Sequence, residues 1–186
     1  MQTNDRIRPL ADCLRRFHDG TECRAWEWFG AHTEVRGGKE GTVFRVWAPH
    51  AADVSVIGES NGWLRDLAPM EQMEEDPSVW TCFLPDVHRF DSYKYSIRTA
   101  DGQVIDKADP FAFHAETRPH TASKVYERRG YEWHDRDWMR RAKPADAPIN
   151  IYEVHFGSWQ VREDSSFFSY REMADKLIPY ACDMGY

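Results

Sequence analysis

Apolar and polar residues alternate with a period of two along much of the first two thirds of the chain. In YKYSIRT, Tyr93, Tyr95 and Ile97 fall on one side of an extended chain and the residues between them on the other. Asp101-Gly102 then predicts a hairpin turn into a further short strand. Similar alternation occurs in TVFRVWA (42–48), DVSVIG (53–58) and VWTCFL (79–84). Short strands with no helical period between them predict an antiparallel, immunoglobulin-like β-sandwich.

The N-terminal region has a helical period instead. Leu10, Leu14 and Phe17 share one helical face, and Gly20 is a suitable residue for the end of the helix. We therefore predict a loose arm over residues 1–9, followed by a short helix that leads into the sandwich.

The last part of the chain combines the two patterns. The segment INIYEVHF (149–156) is strongly β-forming, and Ser169 with Glu172 is the capping-box signature of a helix start. Pro179 predicts a kink in this helix and Gly185 its end. The apolar face of the helix comprises Met173, Ala174, Leu177, Ile178 and Ala181. A strand, a loop and a helix in this order form one β-α unit of the kind found in parallel α/β folds.

The composition allows a packed core and argues against two classes of partner. Of the 186 residues, 41% are hydrophobic and 14% aromatic, which favours a folded chain over a disordered one. The formal net charge of −7 disfavours binding to nucleic-acid phosphates. No apolar run approaches the roughly 20 residues of a membrane span, and MQTNDRIRPL lacks the apolar stretch of a secretory signal. We expect a cytoplasmic protein with neither nucleic acid nor membrane as a partner.

The cysteines and histidines predict neither a metal site nor a bound cofactor. The chain has no C-x-x-C pair and no zinc-finger spacing of His and Cys, so its cysteines are expected to be reduced and mostly buried. The eight histidines are scattered and are interpreted as structural. The four cysteines are Cys13, Cys23, Cys82 and Cys182.

Acidic side chains offer candidates for acid–base chemistry by residue type only. The run Glu74-Glu75-Asp76 precedes a proline, which is typical of a solvated turn, and Asp106 and Asp109 lie in a segment without a clear period. On the segment 149–156, Glu153 and His155 share a face with Ile151, which indicates packing or hydrogen bonding. None of these patterns predicts a catalytic site.

Four stretches of the sequence resemble one known family. They are EWFGAH (27–32), FRVWAPHAADVSVIGESNGW (44–63), KADPFAFHAETRPHTASKVYE (107–127) and PINIYEVHFGSW (148–159). The combination of DPFAF and RPHTAS with IYEVHFGSW resembles the 1,4-α-glucan (glycogen) branching enzymes of glycoside hydrolase family 13. In that family, an N-terminal region with a carbohydrate-binding module of family 48 precedes a catalytic (β/α)₈ barrel.

The resemblance implies a division of the chain into four parts. Residues 1–30 are expected to form an N-terminal arm with its helix, and residues 31–127 the family 48 β-sandwich. Residues 128–148 are then a linker. Residues 149–186 are the first β-α unit of an incomplete (β/α)₈ barrel, truncated at Tyr186.

The resemblance also implies an activity that this chain lacks by itself. Branching enzymes cut an α-1,4 bond and rejoin the severed chain to a 6-hydroxyl with retention, which requires a carboxylate nucleophile and a carboxylic acid. These groups come from later barrel strands. No residue here matches them, so no catalytic residue is assigned. The expected partners are α-glucan, such as glycogen or amylose, and the missing catalytic barrel of the same polypeptide.

Two alternatives remain open. The chain is compatible with a stand-alone glucan-binding module that is not an enzyme. It is also compatible with a fragment of a debranching or trehalose-releasing enzyme of family 13, although RPHTAS argues against that interpretation.

Three residues match the glucan-contacting pattern of family 48 relatives. These are Asn61 and Trp63, in a turn after a strand, and Lys94 on a later strand. An exposed aromatic ring stacks on the flat C–H face of a sugar while polar groups bind its hydroxyls. Val104 replaces a second expected tryptophan, and Glu59-Ser60 stand where the pattern has aspartate and phenylalanine. The alternative role for Trp63 is in the core or against another domain.

Overall fold

The computed structural model describes residues 9–128, 131–141, 146 and 148–186. These residues form two compact units, of which the first ends at Tyr131 and the second runs from Glu132 to Tyr186. The first unit holds all the β-strands of the described chain, whereas the second contains short helices, one longer helix and irregular segments. Apart from Pro9, the arm predicted over residues 1–9 lies outside the described residues.

The elements follow in a simple order. The first unit starts with helix α1 (Leu10–His18) and continues with strands β1 (Gly30–Arg36), β2 (Lys39–Trp47), β3 (Ala51–Gly58), β4 (Glu71–Gln72), β5 (Val79–Pro85), β6 (Ser92–Thr99), β7 (Val104–Lys107), β8 (His114–Ala115) and β9 (Ser123–Lys124). The second unit contains helices α2 (Arg136–Met139), α3 (Phe156–Trp159) and α4 (Tyr170–Asp183).

The strands form two antiparallel sheets. One has the order β1-β2-β5-β4, and the other has the order β3-β6-β9-β8, with β7 also paired to β6. The predicted hairpin at Asp101-Gly102 is confirmed, because the Thr99 amide donates to the Gln103 carbonyl at 2.9 Å and β7 follows. The predicted class of fold, a mostly antiparallel β-sandwich, is confirmed.

The core lies between the two sheets, on the faces that the period of two predicts. Phe44 from β2 and Tyr95 from β6 have no exposed surface, and the Phe44 and Tyr93 rings meet edge to face at 5.0 Å. The side chains that line this core include Val46, Val54, Val56, Trp80, Val87 and Val125. The alternation in the sequence therefore predicts which side chains of each sheet face the core, because successive side chains of a strand point to opposite sides.

Helix α1 packs at one edge of this sandwich, as its sequence predicts. Leu14 is buried with Phe29 and Val79, and Leu10 and Phe17 pack against them. The helix ends at His18, and the following Gly20 has the left-handed φ of +70° that glycine adopts without strain. The three apolar residues of the predicted face therefore attach the N-terminal helix to the first unit.

The helix of the second unit begins as predicted. The Ser169 hydroxyl accepts from the Glu172 amide at 3.4 Å, and the Glu172 carboxylate accepts from the Ser169 amide at 2.8 Å. Hydrogen bonds from Ser169, followed by those from Arg162, lower the pKa of Glu172 to about 2. Pro179 lies within α4, and Gly185 with φ +85° follows its end. The capping box is therefore real and not only a sequence pattern.

The strand predicted over residues 149–156 does not form. Residues 148–155 pair with no strand of the described chain, and Phe156–Trp159 is the short helix α3. A strand is defined by hydrogen bonds to a neighbour, and β-forming residues alone supply none. The predicted β-α unit is thus an irregular segment followed by a helix.

The cysteine prediction is confirmed in one part and wrong in another. None of the four cysteines forms a disulfide, but Cys23 and Cys182 are exposed and Cys82 is half-buried. Burial raises the pKa of the Cys82 thiol to about 12. Cys13, within α1, is the fully buried one.

Candidate functional site

The turn after β3 carries two of the three predicted glucan-contacting residues. The Asn61 amide oxygen accepts from the Gly58 amide at 3.0 Å, and its amide nitrogen donates to the Val56 carbonyl at 2.8 Å. Both polar ends of this side chain therefore hold the turn closed. Gly62 and Trp63 follow with left-handed φ values of +63° each, which reverses the chain direction.

Gly58 sets where this turn lies. A Cβ at Gly58 would be 2.3 Å from the Ser92 carbonyl oxygen, so only glycine allows β3 to run this close to the start of β6. The Trp63 amide donates back to the Gly58 carbonyl at 2.9 Å, and the Trp63 side chain remains 38% exposed. Trp63 is therefore a surface residue of this unit, not a core residue.

Lys94 lies at the same end of the same pair of strands. It pairs with Ile57 of β3, next to the pair formed by Gly58 and Tyr93. Because Tyr93 and Tyr95 point into the core, Lys94 between them points out of the opposite face of the sheet. The Lys94 ammonium donates to the Thr121 hydroxyl at 2.8 Å. The turn that carries Trp63 and the Lys94 side chain thus lie at the same end of the β3–β6 pair.

A polar bridge crosses the outer face of this sheet, and the sequence patterns did not predict it. The Arg65 guanidinium donates to the Ser96 hydroxyl at 3.0 Å and to the Asp106 carboxylate at 2.7 Å. Arg65 follows Trp63 by two residues, and this short spacing is the one feature of the sequence that relates Arg65 to the candidate site. Charge at a loop position does not reveal its partner, so only the fold could show that Arg65 spans β6 and β7.

The outer face carries Val104 where a second aromatic ring was expected. Val104 is 51% exposed and pairs with Arg98, which also forms an ion pair with Asp53. Glu59 accepts from the Ser92 amide at 3.2 Å. This face therefore offers one aromatic ring surrounded by polar groups that already have internal partners.

Most of the acidic candidates have structural roles or are exposed. Asp76 accepts from the Ser78 hydroxyl at 2.6 Å and lies 2.6 Å from the His18 imidazole. Burial alone raises the pKa of Asp76, but the combined hydrogen bonds from Ser78 and His18 leave it lowered. Glu74 and Glu75 are exposed. The interpretation of this run as a solvated turn fits Glu74 and Glu75, whereas the Asp76 side chain is only 12% exposed and has partners.

Asp109 is a buried carboxyl group that ties the sandwich together. It accepts from the Tyr93 hydroxyl at 2.6 Å, the Tyr95 hydroxyl at 3.2 Å and the Phe111 amide at 2.8 Å. Burial raises the pKa of Asp109, although these hydrogen bonds oppose the rise. Its amide donates to the Ser123 hydroxyl at 2.9 Å. These contacts give Asp109 a structural role.

In the second unit, Glu153 and His155 form no acid–base pair among the described contacts. Glu153 is exposed, and the His155 imidazole lies 2.9 Å from the Ser158 hydroxyl at the start of α3. Within the described residues, no group of three or more His, Cys, Asp or Glu side chains is arranged to hold a metal ion. Every helix among the described residues of both units is too short or too polar to cross a bilayer.

The comparisons with known proteins identify the class of this sandwich. Residues 28–112 match the family model of carbohydrate-binding module 48, the isoamylase N-terminal domain. The match covers β1 to β7 and includes the turn with Trp63 as well as Lys94. The chain therefore contains a carbohydrate-binding module of family 48.

The chain as a whole is similar to the N-terminal region of 1,4-alpha-glucan branching enzymes GlgB. It is 48% identical to the enzyme of Bacillus caldolyticus over 173 residues, which is 91% of this chain and 26% of that protein. It is 45% identical to the enzyme of Geobacillus stearothermophilus, over 91% of this chain and 27% of that protein. The chain spans about a quarter of the length of these relatives. The predicted family is confirmed.

Solved structures of pullulanases also superpose on part of the chain. The pullulanase of Anoxybacillus sp. LM18-11 in complex with maltotetraose is 24% identical and gives a TM-score of 0.44. It covers 54% of this chain, and this chain covers 14% of that one.

Proposed function

We propose that this chain is the N-terminal part of a 1,4-alpha-glucan branching enzyme and that its sandwich helps to hold α-glucan. The observation that carries the proposal is the 48% identity to one such enzyme over 91% of the chain, together with the family 48 module. The proposal includes a cytoplasmic location, glycogen or amylose as the glucan, and the catalytic barrel of the same polypeptide as the partner.

In this proposal, Trp63 and Lys94 contact the glucan directly. The half-exposed Trp63 ring stacks on a sugar face, and the Lys94 ammonium donates to a sugar hydroxyl in addition to Thr121. Asn61 contributes by fixing the turn, since its amide bonds to the backbone of Val56 and Gly58 at the end of β3. The absence of a second ring at Val104 favours weak binding at this face.

The nucleophile and the general acid are proposed to lie in the parts of the enzyme that this sequence does not include. Asp109 and Asp76 have structural partners, and Asp106 is bridged to Arg65. In this proposal the module spans residues 31–127, residues 128–148 link it onward, and residues 149–186 belong to the catalytic barrel. The segment 149–155 then gains its strand partners from that barrel.

Electrophoresis through gels with and without amylopectin tests the proposed glucan contact. Trp63→Ala should weaken retention by about fivefold, from the roughly 1 kcal/mol of an aromatic contact. Lys94→Ala should weaken it by a smaller factor. Val35→Ala, a truncation of another exposed side chain on the opposite sheet, is the matched control. Unchanged retention of a folded Trp63→Ala chain would refute the contact.

Incubation of the chain with amylose tests whether it branches glucan alone. We expect neither a change in iodine colour nor new chains after enzymatic debranching. New α-1,6 linkages would refute the proposed location of the catalytic groups. A stop codon directly after Tyr186, together with amylopectin retention, would instead support the stand-alone binding module. The 48% identity to a branching enzyme disfavours a debranching enzyme as the parent protein.

A further inference from the structure

We propose that the first unit carries a second α-glucan surface, separate from Trp63, in a cleft that we call the Trp26 cleft. Its walls are the side chains of Trp26, His32, Phe113, Tyr126 and Arg128, and its volume is about 400 Å³. The inference rests on the proposed function in one respect: it takes glucan as the ligand of the module.

The aromatic walls of the cleft are held by one another. The Trp26 and Phe113 rings meet edge to face at 5.9 Å, and His32 meets Phe113 at 6.2 Å. The His32 ring is fixed by a 2.9 Å hydrogen bond to the Phe29 carbonyl. Trp26 nevertheless remains 36% exposed. The cleft therefore presents a partly exposed Trp26 ring, with the Arg24 guanidinium 6.0 Å from its centroid, on a support that is already packed.

The charges around the cleft are of both signs. The Arg128 guanidinium lies over the Trp26 ring at 5.2 Å and over the Phe113 ring at 5.6 Å. Glu27 and Glu127 also line the cleft, and the Glu27 carboxylate accepts from the Arg24 guanidinium at 2.7 Å. A mixed set of donors and acceptors suits a neutral ligand with many hydroxyl groups, whereas an anion or a cation would meet like charge on one side.

A row of rings continues from the cleft and suits a ligand of several sugar units. The centroid of the Tyr126 ring lies 5.7 Å from that of Phe90 and 5.4 Å from that of His114. The Arg89 guanidinium covers both Phe90 at 4.7 Å and Tyr126 at 4.5 Å. Phe90 is 47% exposed, so part of its ring remains open to a ligand.

The backbone at Phe90 is itself strained. Phe90 has a φ of +79°, which bulky side chains rarely adopt, and its amide donates to the Val125 carbonyl at 2.7 Å. A strained residue that holds an aromatic ring outward is a feature of functional surfaces more than of stable cores. Trp63 shares this left-handed backbone conformation, with a φ of +63°.

A titration of the full 186-residue chain with maltoheptaose separates the two surfaces. Trp26 and Trp63 are equally exposed, at 36% and 38%, so Trp26→Ala and Trp63→Ala are matched controls for each other. We expect Trp26→Ala to weaken maltoheptaose binding by about fivefold to tenfold in calorimetry. Trp26→Phe, which keeps a flat ring, should stay within about twofold of the original chain.

Nuclear magnetic resonance adds a readout that a merely structural role would not move. The indole N–H signal that disappears in Trp26→Ala should shift with maltoheptaose in the original chain. A folded Trp26→Ala chain with unchanged affinity, or an unshifted Trp26 signal at saturating maltoheptaose, would overturn the second surface.

The same data distinguish this inference from the proposed function. If Trp63→Ala alone abolishes binding, the second surface is refuted and the proposed contact at Trp63 is supported. If Trp26→Ala alone weakens binding, the second surface is supported and the Trp63 contact is refuted. Loss of affinity in each single variant supports both surfaces, because a polymer that bridges two sites gains avidity from each. An original chain that binds no maltoheptaose refutes both.

Discussion

The β-sandwich and the C-terminal unit differ in how completely each buries its own apolar residues. The sandwich encloses Phe44 and Tyr95 fully between two sheets. In the described part of the C-terminal unit, Met173 is the one hydrophobic residue buried to a comparable degree, and Ile149, Ile151 and Ile178 are exposed. A helix cap therefore forms from residues close in the sequence, whereas an apolar face stabilises the fold only when other residues cover it.

Contacts between aromatic side chains hold the segments of the C-terminal unit together. Tyr152 meets Tyr180 at 5.8 Å and Tyr186 at 5.2 Å, and the Trp159 indole donates to the Tyr152 hydroxyl at 3.0 Å. These contacts connect the irregular segment to helix α4. They bury far less apolar surface than the sandwich core, so we expect this unit to be the less stable of the two.

The largest expected effect is on core packing. Phe44→Ala should reduce the free energy of unfolding by about 3–5 kcal/mol, because the lost ring leaves a cavity between the sheets. Ile178→Ala, at an exposed position of α4, should change it by less than about 0.5 kcal/mol. Urea unfolding followed by circular dichroism measures both. A loss at Ile178 as large as that at Phe44 would mean that α4 is well covered and would contradict the comparison.

A second prediction concerns local opening. Amide hydrogens of residues 149–186 should exchange with solvent at a free energy of opening about 2 kcal/mol or more below that of residues 42–99, because few buried contacts hold them. Hydrogen exchange with mass spectrometry measures this difference. Limited proteolysis should cut the same segment first. Equal protection of the two regions would show that the C-terminal unit is as stable as the sandwich.

Asp109 gives a third prediction, on pH. Since burial raises its folded pKa above the ordinary 3.8, the folded state holds the proton more tightly. Its contribution to stability is therefore greatest below pH 3.8 and falls as pH rises through the raised pKa. Asp109→Asn lacks this titration and should cost about 1–3 kcal/mol at low pH, with a smaller cost at neutral pH.

Urea unfolding of both chains at a series of pH values tests the Asp109 prediction. The groups that face the Asp109 carboxyl are the hydroxyls of Tyr93 and Tyr95. The charge of the nearby His32 favours the ionised form of Asp109. Tyr93→Phe removes one donor to the carboxylate and should raise the pKa of Asp109 further. A cost of Asp109→Asn that grows with pH would show that the ionised form is preferred.

A smaller loss of stability than at Phe44 or Asp109 is expected at the start of α4. Ser169→Ala removes the capping hydroxyl and should reduce the stability of this helix by about 1 kcal/mol, with no change in the sandwich. The pKa of Glu172 should rise from about 2, since its largest cause is the hydrogen bonding by Ser169. Hydrogen exchange in α4 and carbon-detected titration measure the two effects, and Ser60→Ala is the control. Unchanged exchange in α4 would contradict the role of the cap.

The sequence predicted the inner faces of the sandwich because they depend on one local rule. Phe44, Val46 and Tyr95 fall on the inward side of a period of two, and this period in an extended chain selects a face whatever the partner strand is. The same reasoning failed at residues 149–156. Their β-forming composition predicted a strand, but pairing depends on a neighbour, and no such neighbour exists in the described chain.

The candidate sites show the same limit. Trp63 and Lys94 were found from a family resemblance, and the fold brought them to one end of a sheet. The bridge from Arg65 and the Trp26 cleft were missed. The cleft combines residues from the single helical turn Ala25–Glu27, from β1 and from the chain around β8 and β9. Nothing in the spacing of such residues indicates that they meet.

By itself, the sequence determined the class of the sandwich, the faces of its strands, the turn at Asp101-Gly102 and the cap of α4. Each of these depends on residues within a few positions of one another, where backbone geometry fixes the outcome. Only the tertiary structure decided that Asp109 is buried, that Arg65 crosses two strands and that aromatic rings gather around Trp26. These features depend on burial and distance between remote segments, which arise when the two sheets close on a common core.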